Sequence, residues 1–198
     1  MLVILLGFPY GSYYSTNFCI ILSVVSLFTL DLFLILAIVF LLLVLSMIWP
    51  PDSPWAPWWR TGDRQIRESL KLAKVTKKDT VYELGSGDGR FLVIAAKEFG
   101  ARGVGIEIDP VRYYISKFRV KANNLNSDVT IIKKNFFDVD ISKASVIFVY
   151  LVPKALGRLL PKFKKELRKG TRIVSYRYEI NLPLEKFDKE NEIRLYVL

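Results

Sequence analysis

Histidine is absent from this chain of 198 residues and cysteine occurs once, at Cys19. Those two shortages exclude an internal disulfide, a zinc site of the Cys/His kind, a His-dependent catalytic triad and ordinary imidazole acid–base chemistry. Any catalysis rests on carboxylates, lysine, tyrosine, hydroxyls, amides or a bound organic cofactor, and no metal is expected. Basic residues are missing from one whole end. The first Lys or Arg is Arg60, and only Asp31 and Asp52 are acidic before it, so all 29 basic residues follow a long start without a basic side chain.

That start contains Leu32 to Trp49, a run without charge whose one polar side chain is Ser46. Eighteen helical residues reach about 27 Å, close to the ~30 Å of a bilayer's hydrocarbon. The run lacks both the positive flank and the small-residue cleavage site of a signal peptide, so a retained anchor is expected, against the alternative of a buried core helix. All four tryptophans, Trp49, Trp55, Trp58 and Trp59, follow it among Pro50, Pro51, Pro54 and Pro57. This pattern suits an interfacial belt or, alternatively, a linker that packs its rings on the domain. Upstream, Phe18 to Leu30 is apolar but too short to span alone. Asp31 marks either an interface or the turn of a helical hairpin. The expected division is 1–49 membrane anchor, 50–65 interfacial linker and 66–198 globular domain. Lys and Arg on the C-terminal side place that domain on the cytoplasmic face.

Within the domain, Ile66, Leu70 and Leu72 recur at helical spacing. Strands are expected at Thr80–Leu84, Gly103–Ile108, Val129–Ile132, Ser145–Tyr150 and Arg172–Tyr176, with helices at Arg90–Phe99, from Pro110 to about Asn123, and from Lys154 to Arg168. Apolar strands alternating with helices imply an α/β fold, a doubly wound, Rossmann-like and mostly parallel sheet behind a transmembrane helical segment.

Ligands of such sheets sit beyond the C-terminal strand ends. The first strand ends in Glu83-Leu84-Gly85-Ser86-Gly87-Asp88-Gly89, where glycines let the backbone approach a ligand; a purely structural turn is the plain alternative. The dinucleotide pattern G-x-G-x-x-G fails, because Arg90 stands where the third glycine belongs. Glu83 and Asp88 would also oppose a pyrophosphate, whereas S-adenosylmethionine brings an ammonium and a sulfonium. Glu107 ends the second strand, 24 residues after Glu83, where an acid can accept both ribose hydroxyls. Asp109, before Pro110, suits helix capping. Asn135 and Phe136 follow the third strand as an adenine edge and face, or as core. Tyr150 to Pro153 follow the fourth, where Tyr150 orients a nucleophile or only packs.

The segments VYELGSGDGR, GVGIEIDP, NFFDVD and VYLVP resemble, in this order and spacing, the seven-β-strand S-adenosylmethionine-dependent methyltransferases. With the apolar segment in front, the chain is similar to the membrane-associated protein-lysine N-methyltransferases of mitochondria and prokaryotes over about Ile66 to Glu179. The resemblance implies the strand order, S-adenosylmethionine as cofactor, a protein substrate, and a cofactor site of Glu83, Gly85, Gly87, Glu107 and Asn135. It also implies that Tyr150 to Pro153 border the acceptor amine. The reading from residues adds Ser86, Gly89 and Phe136 to the cofactor site. One departure is expected: after Tyr176 only Glu192 to Val197 reads as a strand, where the family fold has two.

Lysine methylation thus leads, with small-molecule or lipid methylation and a non-catalytic cofactor-binding module as alternatives. The basic run Lys162, Lys164, Lys165, Arg168 and Lys169 suits anionic headgroups or a solvated helix face. Nucleic acid is disfavoured, because the aromatic interleaving of the recognisable nucleic-acid modules is lacking.

Overall fold

The computed structural model describes residues 11–48, with the side chains of 25–45, and residues 59–198 in full. The proposed belt residues Trp49, Trp55 and Trp58 and their four prolines lie outside the described residues. The chain divides into two compact units, Met1–Ser46 and Met47–Leu198.

In the first unit, helix α1 runs unbroken over Gly11–Ile48. Asp31 lies inside it, so the hairpin reading of that residue does not hold. Its stretch Val25–Leu45, with a mean hydropathy of 3.0, is long and apolar enough to cross a membrane. It starts earlier than the sequence run at Leu32. Every side chain described there is exposed, as expected of an apolar surface that the unit itself does not cover.

The second unit begins with α2, Asp63–Leu72, which buries Ile66 and Leu70. Then strand and helix alternate: β1 Thr80–Leu84, α3 Arg90–Phe99, β2 Arg102–Glu107, α4 Pro110–Ala122, β3 Val129–Lys133, β4 Val146–Val149, α5 Pro153–Glu166 and β5 Arg172–Tyr176. Two further strands follow, β6 Leu184–Asp188 and β7 Ile193–Val197. The sheet order is β3-β2-β1-β4-β5-β7-β6. The first five strands are parallel, and β7 runs antiparallel between β5 and β6. The sheet edge that looked incomplete in sequence is therefore complete.

Alternating strand residues feed two cores. Val81, Phe148 and Val174 pack with Ile66, Leu70, Phe91 and Leu92 on one face. Tyr82, Leu84, Ile147 and Val149 pack with Leu156, Leu159 and Phe163 of α5 on the other. Phe91 stacks on Phe148 at 4.0 Å between centroids. Each such side chain contributes about 1.5–3 kcal/mol when fully buried, so both faces of the sheet are held independently of any ligand. Of the basic run, Lys162 is drawn onto Glu166 at 2.7 Å, while Lys164, Lys165, Arg168 and Lys169 are exposed. The order of strands reverses between β1 and β4, which opens a crevice at their C-terminal ends.

Candidate active site

Strand β1 delivers Glu83 into that crevice and the chain then turns through three left-handed glycines, Gly85, Gly87 and Gly89. Gly85 and Ser86 both donate their backbone N–H to Ile106 O, at 2.9 and 3.0 Å, which ties the loop to β2. Gly89 needs its missing Cβ twice over: φ is +73°, and a Cβ would stand 2.9 Å from Ser116 Cβ of α4. Gly105 is filled in the same way, because a Cβ there would meet Ser86 Oγ and Leu92 Cδ1 at 2.7 Å. These contacts hold the loop against α4 and β2, with its backbone lining the cleft.

Glu107 fixes the loop from β2. Its Oε2 accepts from Gly87 N at 2.7 Å and its Oε1 from Asp109 N at 2.9 Å. Burial pushes its carboxyl above the ordinary range, against the pull of those two bonds and of Arg112. Asp109 caps α4 by accepting from Arg112 N at 2.8 Å, the role its place before Pro110 predicted. Glu83 is pushed well above the ordinary range, first by burial and then by the charges of Asp88 and Glu107. Its Oε2 is buried without a hydrogen-bond partner, as is Ser86 Oγ. A buried acceptor left unmade costs about 1–3 kcal/mol, and a cationic donor would satisfy it.

Asp88 departs from the expectation drawn for it. Rather than facing a ligand alone, its Oδ2 takes Arg119 at 3.0 Å and Arg60 at 3.7 Å. Arg90 turns to Asp63 at 2.9 Å. The cleft, an open space of about 860 Å³, thus has a mixed lining. Carboxylates of Glu83, Asp88 and Glu107 stand with guanidinium groups of Arg60, Arg90 and Arg112, over apolar walls of Phe91, Ile108, Phe136 and Phe148. A zwitterionic nucleoside ligand fits such a lining better than a diphosphate does.

Of the residues predicted for the site, Glu83, Gly85, Ser86, Gly87, Glu107, Phe136 and Tyr150 line this one cleft. Gly89, Asn135 and Pro153 do not. Gly89 packs on α4. Asn135 uses its Oδ1 to accept from Phe137 N at 3.1 Å, capping the short turn Phe136–Asp138. Pro153 is the first residue of α5. Sequence reasoning missed Arg60, Arg112, Phe91 and Phe148, which come from four separate segments. It read Trp59 as part of a belt or a linker that packs on the domain, and the structure sets this exposed ring at the cleft wall. Tyr150 is half-buried there, its hydroxyl accepting from Arg177 Nη1 at 3.1 Å. Burial raises its phenol above the ordinary value, although the Arg177 charge opposes this. Among the described residues no group of three or more Cys, Asp or Glu is arranged to hold a metal ion.

A family model described as the ANTKMT methyltransferase domain matches residues 83–183. A protein-lysine N-methyltransferase of Saccharolobus islandicus (strain REY15A) is 36% identical over 160 residues, covering 77% of this chain and 98% of that protein. The adenine nucleotide translocase lysine N-methyltransferase of Mus musculus is 29% identical over 125 residues, covering 63% of this chain and 54% of the mouse protein. Among solved structures, an RNA methyltransferase from Salinibacter ruber, in complex with S-adenosyl-L-homocysteine, superposes with a TM-score of 0.68 at 33% identity. The match covers 70% of this chain and 93% of that one.

Proposed function

Because the chain belongs to the family of the ANTKMT methyltransferase domain and is an S-adenosylmethionine-dependent methyltransferase, we propose that it methylates lysine side chains of a protein and does so from a membrane anchor. The observation that carries the lysine reading is the Saccharolobus relative, which aligns over almost its whole length and is named for that activity. The anchor reading rests on Val25–Leu45. A membrane protein is then the natural acceptor, with the catalytic unit on the cytoplasmic side, where the positive-inside rule puts a flank holding every Lys and Arg.

The site's residues suit the cofactor. Glu83, with its unsatisfied Oε2, would hold the ammonium, Glu107 the ribose hydroxyls, and Ile108 with Phe136 the adenine face; of the cleft's arginines, Arg60, Arg90 or Arg112 would pair with the cofactor's carboxylate. When bound, the cofactor supplies an electrophilic methyl group on a sulfonium. In-line transfer to an amine asks the protein chiefly to align the reactants and keep water out. Phe91, Phe148 and Leu151 provide the dry wall. Tyr150 offers a phenol oxygen to orient the acceptor's N–H. The amine must be neutral, and an apolar aromatic surrounding lowers a lysine pKa in that direction without a basic side chain.

The test is to incubate the purified full chain with radiolabelled S-adenosylmethionine and membranes and to locate the label. Label in protein, released as methylated lysine, is the expected result. Label confined to lipid, or to added RNA as the Salinibacter relative's name invites, would refute the lysine reading.

A further inference from the structure

A turn that follows β5 holds chemistry the cofactor cleft does not use. Tyr178 N donates to Tyr176 O at 2.8 Å, closing a three-residue turn around Arg177. Arg177 is left-handed, at φ +66°, and Glu192 opposite it is left-handed too, at φ +56°. Arg177 N donates to Glu192 O at 2.8 Å. A non-glycine side chain held in this region is strained, and strain of this kind is kept where the geometry serves a site.

What the turn maintains is a cluster of three phenol rings, two of which face a cation. The Tyr150 ring meets Tyr176 edge-on at 4.6 Å and lies near-parallel to Tyr178 at 6.3 Å. The Arg177 guanidinium sits 5.4 Å from the Tyr176 ring centroid and 6.0 Å from that of Tyr150. Besides its bond to Tyr150 Oη, it is tethered through Nε to Glu192 Oε2 at 3.0 Å. Aromatic faces gathered on a positive charge are how proteins hold ammonium and methylated ammonium groups. The cluster joins the cleft at Tyr150, which belongs to both.

We propose that Tyr150, Tyr176 and Tyr178 form the subsite for the acceptor's amine, and that Arg177 is an internal cation that occupies it until a lysine side chain takes its place. The proposal rests on the lysine reading above. Displacement is cheap. The side chains of Arg177 and Glu192 are 45% and 54% exposed, so their ion pair is weak, and the ring contacts that Arg177 gives up are remade by the incoming ammonium. A neutral amide cannot replace the cation, so the subsite captures lysine as its ammonium, which gives up a proton to water before transfer, and it selects against an amide. A methylated ammonium loses N–H donors but keeps its attraction to the rings, so the product of one transfer stays in place for the next.

Binding of lysine analogues to the full chain in detergent micelles, followed by NMR of ring-labelled tyrosines, tests this directly. The probes are Nα-acetyl-lysine N-methylamide bearing an Nε-trimethyl group and its neutral Nε-acetyl counterpart. The trimethyl compound should shift the Tyr150, Tyr176 and Tyr178 signals and the acetyl compound should not. Arg177→Gly, which suits the left-handed backbone, should tighten the trimethyl compound about threefold or more, and Tyr178→Leu should weaken it about as much, while Tyr178→Phe preserves it. Equal binding of the neutral probe, or no tightening in Arg177→Gly, overturns the subsite. The lysine reading falls separately, by the location of transferred label, because the analogue titration contains no cofactor.

Discussion

Glu83 is the residue where structure and chemistry are most tightly linked. Its folded pKa is raised above the unfolded value, so its contribution to stability is whole below about 4.5 and is lost as pH rises through the folded value. The ligand-free chain should therefore melt lower at neutral than at mildly acid pH, and Glu83→Gln should flatten that slope in thermal scans. The same change should weaken S-adenosylmethionine by about 10- to 150-fold in calorimetry, the worth of one bond to a charged group. Tyr150→Phe tests the hydroxyl and Tyr150→Ala the ring: transfer should fall about tenfold in the first and further in the second. Full rates in both would remove Tyr150 from the mechanism. Legibility at this scale was uneven. Glu83, Gly85, Gly87 and Glu107 could be read because strand ends and glycine spacing mark them. The capping bond that Asn135 accepts from Phe137 N could not be, because only coordinates show where its oxygen turns. Arg112 was hidden because nothing in a helical PVRYY segment shows which side chain faces the loop.

At the scale of elements, β5 is joined to the turn after α2 by Arg172. Its Nη1 donates to Ala73 O at 2.6 Å and Lys74 O at 3.1 Å, and its Nη2 pairs with Asp79. Ser145 Oγ donates to the same carboxylate at 2.7 Å. Burial works against the Asp79 charge, but Ser145, Thr76 and Arg172 together hold its pKa below the ordinary value. A depressed carboxylate stabilises the fold above the unfolded value near 3.8 and loses that support as pH falls through the folded one, so this junction should fail only in strong acid. Arg172→Met leaves Asp79 partly buried without its cation and should cost about 3 kcal/mol in urea unfolding; a loss below about 0.5 kcal/mol would contradict the clasp. Strand β6 shows the limit of periodicity. In LEKFD four of five residues are exposed, the strand pairs only with β7, and a register shift falls between Leu184 and Lys186. An edge strand with neither face buried leaves no alternation to detect.

For the whole molecule the decisive property is the apolar exposure of Val25–Leu45. If that stretch is the anchor, the full chain should remain with lipid vesicles through a wash in about 1 M salt, where the Debye length falls to about 3 Å and basic residues alone no longer hold a protein to anionic headgroups. Release by salt would assign membrane association to the lysines of α5 instead. Catalysis should persist in detergent micelles, because both faces of the sheet are packed by elements of the same unit.

By itself the sequence determined the alternation of strands and helices, the long apolar stretch, the exclusion of histidine and disulfide chemistry, and the acidic and glycine positions of the loop after β1. All of these are local, written in periodicity, composition or spacing within a few turns of chain. The tertiary structure alone decided which arginines meet the cleft, that Asp88 pairs with Arg119 and Arg60, that β7 inserts beside β5, and that Tyr150 meets Tyr176, Arg177 and Tyr178. Those are contacts between segments far apart in the chain. They depend on crossover connections and on side-chain direction, and no spacing along a single strand records either.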